Sequence, residues 1–184
     1  MPEFNILFFS FIVICVIATY IIVTINSLKH KQVKIEEALS GIDVALQKRY
    51  DALTKMLDVA KSYAKFEKET VLEAIKLRQG STLQEKAEVE KQMNLALDEI
   101  SLVAEQYPEL RTNEQFTIIQ KAIVDAEEHI QAARRAYNAN VSSLNKTIVS
   151  FPSSIIAKVV GVKEKEFYKT TEEKREDINM SFQI

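Results

Sequence analysis

FNILFFSFIVICVIATYIIVTINSL, from Phe4 to Leu28, holds no charged side chain, and the chain beyond it meets no proline until Pro108. About 20 apolar residues are enough to carry a helix across the roughly 30 Å hydrocarbon core of a bilayer. The stretch therefore reads as one membrane span that can continue directly into a helix in water. A cleaved signal peptide would need a basic leader, a short apolar core and a small-x-small site. Here the leader MPEFN carries Glu3 and no Lys or Arg, the apolar run is too long, and no such site follows it. LKHKQVK comes next, with Lys29, His30, Lys31 and Lys34, so the positive-inside rule places the amino terminus outside and the rest in the cytoplasm. These few basic residues set topology before they argue for any particular lipid.

Working outward, 184 residues with 47% hydrophobic and 27% charged side chains suit one domain of ordinary size. Three glycines and three prolines leave few turns, which favours long helices and excludes a glycine-rich phosphate loop. A net charge of -2, with lysines interleaved among acids, provides no field for nucleic acid. Cys15, the one cysteine, lies in the span, and His30 and His129 have no partner histidine at helical spacing. No catalytic thiol, metal site or cofactor is expected.

Apolar residues at Ile35, Leu39, Ile42, Leu46, Tyr50, Leu53, Leu57, Ala60, Ala64, Val71 and Ile75 step by threes and fours for most of their length and predict an amphipathic helix to about Leu77. At 1.5 Å per residue that would be a stalk of roughly 70 Å. Gly80 suits its C-terminus, and Ser81 or Thr82 can cap the next helix. The second helix, Leu83 to about Gln106, has a looser row of Leu83, Ala87, Val89, Met93, Leu95, Leu97, Ile100, Val103 and Ala104, and stops at Tyr107-Pro108. Thr112-Asn113-Glu114-Gln115 has the form of a capping box. A third helix follows, with its row at Phe116, Ile119, Ile123, Ala126, Ile130, Ala133, Tyr137, Val141, Leu144, Ile148 and Phe151, up to Pro152. The expected fold is all-α: a single N-terminal transmembrane helix (1–28), then an antiparallel bundle of three long helices plus a short C-terminal helix (29–168), then a polar tail (169–184).

Asn138, Ser142 and Asn145 form a polar row beside the apolar face of the third helix, and such amides ordinarily hydrogen-bond a neighbouring helix. The sequons at Asn140 and Asn145 would go unmodified in a cytoplasmic helix. SSIIAKVVGV, after Pro152, is expected to fold back as core cover ended by Gly161, with an exposed docking ridge as the alternative. KTTEEKRED, Lys169 to Asp177, is a solvated linker. INMSFQI closes it, and the alternating Ile178, Met180 and Phe182 are expected to make a partner or assembly contact as an extended peptide.

The stretch from Ile42 to Arg78 and the stretch from Tyr107 to Gly161 resemble the signature of the bacterial LemA family. The resemblance rests on Arg49-Tyr50-Asp51, Tyr63-Ala64 with Glu67 in the EKE run, Tyr107-Pro108, Asn113-Glu114 with Phe116, Ala133-Arg134-Arg135 with Tyr137-Asn138, and Asn145 with Ser150-Phe151-Pro152. Thr54 and Lys55 stand where the family commonly has proline and asparagine, Phe66 where histidine is common, and Leu144 where tyrosine is. Without that proline the first helix should be straighter. The resemblance implies a membrane-anchored cytoplasmic bundle of the bacterial envelope, found alongside membrane-bound zinc metalloproteases, with no catalytic residue carried over.

Three roles compete. An interaction scaffold needs only a rigid body at the membrane and fits every feature; self-association is expected because anchored copies share a plane and an axis. A membrane-remodelling or signal-transmitting receptor is the second reading. An enzyme would have to draw Arg49, Asp51, Tyr63 and Glu67 together with Arg134, Tyr137 and Asn138, yet helical periodicity puts Asp51 out of line with Glu67. The family-motif residues are thus expected to be structural.

Overall fold

A computed structural model describes residues 2–63, 75 and 82–169, with side chains from residue 5. Among the described residues there are five helices and no strand: α1 (Pro2–Ala60), α2 (Leu83–Gln106), α3 (Pro108–Arg111), α4 (Glu114–Val149) and α5 (Ser153–Val160). α1 runs without interruption from the apolar stretch into the amphipathic one, over 59 residues. Thr54, where the family has proline, keeps its place in the helix and turns its hydroxyl back onto the Tyr50 carbonyl at 2.9 Å. Residues 5–23 are exposed on every side, as a helix apolar all round must be without a partner or a membrane. This helix is long and apolar enough to cross a bilayer, with a window of mean hydropathy 3.0.

α1 ends earlier than the periodicity predicts, at Ala60 and not near Leu77. Past it the chain tightens into turns bonded three residues back, Ser62 N–H to Val59 C=O at 3.1 Å and Tyr63 N–H to Ala60 C=O at 3.0 Å. That tightening brings the Tyr63 hydroxyl to Asn113, whose Nδ2 donates to it at 3.0 Å. The glycine break expected at Gly80 lies outside the described residues. Thr82 caps α2 in a reciprocal box: its hydroxyl accepts from the Glu85 N–H at 3.2 Å while its own N–H donates to Glu85 Oε2 at 2.7 Å.

α3 is a turn that the sequence reading missed. Pro108 takes its first position, where its missing N–H is no loss. Thr112 closes α3 by folding its hydroxyl onto the Pro108 and Glu109 carbonyls. The cap of α4 therefore moves one residue on, to Asn113, whose Oδ1 accepts from the Phe116 N–H at 3.1 Å. α4 stops at Val149, short of the expected Phe151, and Phe151 is 83% exposed instead of closing the apolar row. The Phe151–Pro152 peptide bond is cis. Gly161 ends α5 at φ 75, a left-handed conformation in which a side chain is disfavoured.

The chain divides into two compact units, Met1–Ser40 with Arg134–Phe167 and Gly41–Ala133 with Tyr168–Ile184. In the second unit Leu53, Leu57, Met93, Ile100 and Leu110 are 1% exposed or less, and each such side chain contributes about 1.5–3 kcal/mol by leaving water. Leu95, counted in the apolar row, faces solvent, and Ala96 is buried in its place. In the first unit Leu28, Val141, Leu144 and Ala157 are fully buried. Leu144, where the family commonly has tyrosine, is thus an ordinary core residue.

Gly41 sits inside α1, where it weakens the helix relative to alanine. A Cβ added there would meet the Ala133 Cβ at 3.8 Å, an ordinary contact. Gly41→Ala is expected to raise stability by about 0.5–1 kcal/mol, read as a higher melting temperature of the detergent-solubilised chain.

Candidate functional site

In the second unit the polar residues of the family motif are each held by a side chain of the same unit. Arg49 is 4% exposed; its Nη2 donates to Asn94 Oδ1 at 2.7 Å, and its Nη1 lies 2.9 Å from Glu127 Oε2 in an ion pair whose angle falls outside hydrogen-bonding geometry. Burial lowers the Arg49 pKa below its usual value, and the Glu127 carboxylate opposes that shift. Six residues earlier in α1, Asp43 pairs with the buried ammonium of Lys86. Asp51 points away from this centre and accepts from Gln47 Nε2 on its own helix at 2.8 Å. Tyr50 and Tyr63 pack on the core edge, and Phe116 is inside it.

Arg49, Asp51 and Tyr63 thus each have a different partner and do not converge on a point where a substrate atom could sit. Glu67 lies outside the described residues. A cleft of about 440 Å³ opens nearby, lined by Met56, Leu97, Ala104, Phe116 and Ile123 with Ser101, Glu105, Arg111 and Gln120 at its polar side. Phe116 alone of the motif residues reaches it. Tyr107 is exposed at the joint of α2 and α3, and Pro108 starts α3.

In the first unit the polar row of α4 is a clasp. After Gly161 the chain runs on without helix or strand, and Asn145 grips the Lys165 backbone at two points: Nδ2 donates to its carbonyl at 2.9 Å, and Oδ1 accepts from its N–H at 3.0 Å. Two turns back, the buried Tyr137 donates its hydroxyl to the Glu166 carbonyl at 3.1 Å. Asn145 therefore bonds a segment outside any helix, and not the neighbouring helix expected of the row. Burial first, and the Glu166 carboxylate second, raise the Tyr137 pKa. Asn140 Nδ2 reaches the Lys34 carbonyl at 3.0 Å, and Lys31 Nζ reaches the Ser143 carbonyl at 3.1 Å and the Thr147 hydroxyl. Arg134 is buried and Asn138 half-buried on the same helix; Pro152 precedes α5. Ile178, Met180 and Phe182 lie outside the described residues. Among the described residues no group of His, Cys, Asp and Glu could hold a metal ion.

The clasp predicts two effects. Asn145→Ala removes two bonds and should speed amide exchange in residues 162–169 by at least about tenfold, the equivalent of about 1.4 kcal/mol. Tyr137 is neutral in the fold, so its contribution is complete below the unfolded tyrosine pKa of about 10 and fades as pH rises through its higher folded value. As pH rises past about 10, stability should fall by less in Tyr137→Phe than in the parent, measured by thermal melting.

Lys86, Asn94 and Glu127 were not singled out from sequence. Lys86 falls seven residues before Met93 and fourteen before Ile100, in register with the apolar row, and Glu127 falls between Ile123 and Ile130 on theirs. A charge in line with an apolar row was the available signal.

The LemA family profile matches residues 38–182. "Protein LemA" of Metamycoplasma hominis is 26% identical over 161 residues, covering 85% of this chain and 74% of that protein. "Magnetosome protein MamQ" of Magnetospirillum gryphiswaldense is 27% identical over 73 residues, and "Magnetosome protein MamQ 1" of Paramagnetospirillum magneticum 30% over 74; each match covers 40% of this chain and 27% of the relative.

Proposed function

The chain belongs to the LemA family, and from that premise we propose that it is a single-pass membrane-anchored scaffold of the bacterial envelope. It self-associates and presents a cytoplasmic helical bundle to other membrane proteins, a membrane-bound zinc metalloprotease among them. The observation that carries this is α1: one helix, apolar on all faces through residue 23 and one-sided from Ile35 to Ala60. A helix apolar all round is stable only when its whole surface leaves water. The motif side chains support a structural role, since Arg49, Tyr63, Tyr137 and Asn145 each hold another segment of the chain.

The register of the pairs supports a bundle somewhat different from the expected order. In the second unit Tyr63, Arg49 and Gly41 face Asn113, Glu127 and Ala133, so α4 runs against α1; Asp43 and Arg49 meet Lys86 and Asn94, so α2 runs with α1. α1 and α2 as parallel neighbours replace the antiparallel succession of long helices read from the sequence.

Thiol labelling in a Cys15→Ser background tests anchor and orientation. A membrane-impermeant maleimide should label Pro2→Cys in intact spheroplasts and Glu128→Cys only after lysis. Equal labelling of both before lysis would sink the topology.

A further inference from the structure

We propose that α5 and the turn before it form an interfacial contact with the bilayer: Phe151, Ile155 and Val159 sit in the boundary between acyl chains and headgroups of the same membrane that α1 enters. The proposal rests on the membrane anchor proposed above. These three side chains recur every four residues and are 83%, 57% and 84% exposed. The opposite side of α5 is anchored, with Ala157 fully buried. α5 is thus a helix with a filled inner face and an apolar outer face, the form of an interfacial helix.

Its height is fixed by bonds within the first unit. Asn140 meets Lys34 and, farther along α4, Ser143 and Thr147 meet Lys31. Moving toward Val149 along α4 therefore means moving toward Leu28 along α1, the last residue of the apolar run. α1 itself reports the same level. Residues 5–23 are exposed throughout, whereas Thr24 is 7% and Leu28 0% exposed. Within this unit the segment outside α1 is Arg134–Phe167. α5 is held there at both ends: Ser153 Oγ donates to the Thr147 carbonyl at 2.7 Å, and beyond Gly161 the Asn145 clasp draws the chain back along α4.

The occupant follows from continuity. The outer row of α5 lies beside the end of the lipid-facing surface of α1, at the depth where acyl chains give way to headgroups. Lys158 flanks the row, and Lys163 and Lys165 follow it, all exposed and able to lay their stems along the boundary with the ammonium in the headgroups. A face of three apolar side chains is small for a stable protein interface, but it suffices for a helix already tethered to the membrane.

The chain has no tryptophan, so one introduced at an exposed site reports alone. Full-length Val159→Trp is placed in vesicles of phosphatidylcholine and phosphatidylglycerol, with Ile14→Trp as a span control. The expected result is blue-shifted Val159→Trp emission, quenched most by lipid brominated high on the acyl chain, while Ile14→Trp is quenched most by lipid brominated deep. Emission as red as free tryptophan, quenched by iodide and untouched by brominated lipid, would overturn the proposal and leave the anchor standing. Shielding from both quenchers would also overturn it, because a protein surface then covers the row. Ile14→Trp untouched by any brominated lipid would overturn the anchor and this contact together.

Discussion

Leu53→Ala is expected to lower stability by about 2–5 kcal/mol, the range for emptying a fully buried leucine site. Leu53 is 0% exposed in the core where α1, α2, α3 and α4 contribute side chains, with Met56, Leu57, Met93 and Ile100 among its buried companions. The substitution loses the transfer energy of the removed atoms and leaves a void that helices fixed by Arg49, Lys86 and Tyr63 can only partly close. For a chain of this size the melting temperature should drop by about 2–4 °C for each kcal/mol. Val44→Ala, at a position 53% exposed on the same helix, should change it by less than about 0.5 kcal/mol. Comparable losses at Leu53 and Val44 would mean that α1 does not pack as described.

Arg49→Met is expected to be the second large loss. Removing one partner of a buried ion pair costs about 3–5 kcal/mol when the other charge is stranded. The Glu127 side chain keeps 29% of its exposure and can turn toward water, so the loss should fall near 2–3 kcal/mol, about the lower edge of that range. Asn94 also loses its partner, at about 1 kcal/mol of that total. The pair is tested by its coupling: Arg49→Met with Glu127→Met should recover part of the loss, because no charge then stays without its counterpart. Simple additivity within about 0.5 kcal/mol would show that Arg49 and Glu127 do not act as a unit.

Much of this fold was legible in the sequence because helix periodicity and chain breakers act locally. The charge-free run from Phe4 to Leu28, the stop at Tyr107-Pro108, the Thr82 cap and the Gly161 terminus all depend on residues within a few positions of one another, and each lies where it was read. What was misread depends on distant partners. α1 ends at Ala60 with no glycine or proline near by, and Tyr63 there is bonded to a residue fifty positions away. Thr112 resembles a cap but closes α3, because Asn113 serves both α4 and Tyr63. The polar row of α4 was visible as a row; that its partner is the backbone of Lys165 and Glu166 could not be, since residues 162–169 carry no periodicity that fixes their path. The motif residues are expected from sequence to be structural; which segment Arg49, Tyr63, Tyr137 and Asn145 each hold depends on partners far along the chain.

The proposed role has this chain hold other proteins at the membrane. It is tested most directly by crosslinking in intact membranes, followed by native-mass determination of the detergent-solubilised full-length chain and identification of whatever is captured. The account predicts a defined homo-oligomer, or a stoichiometric complex with another envelope protein such as a membrane-bound zinc metalloprotease. A monomer with nothing attached would contradict it.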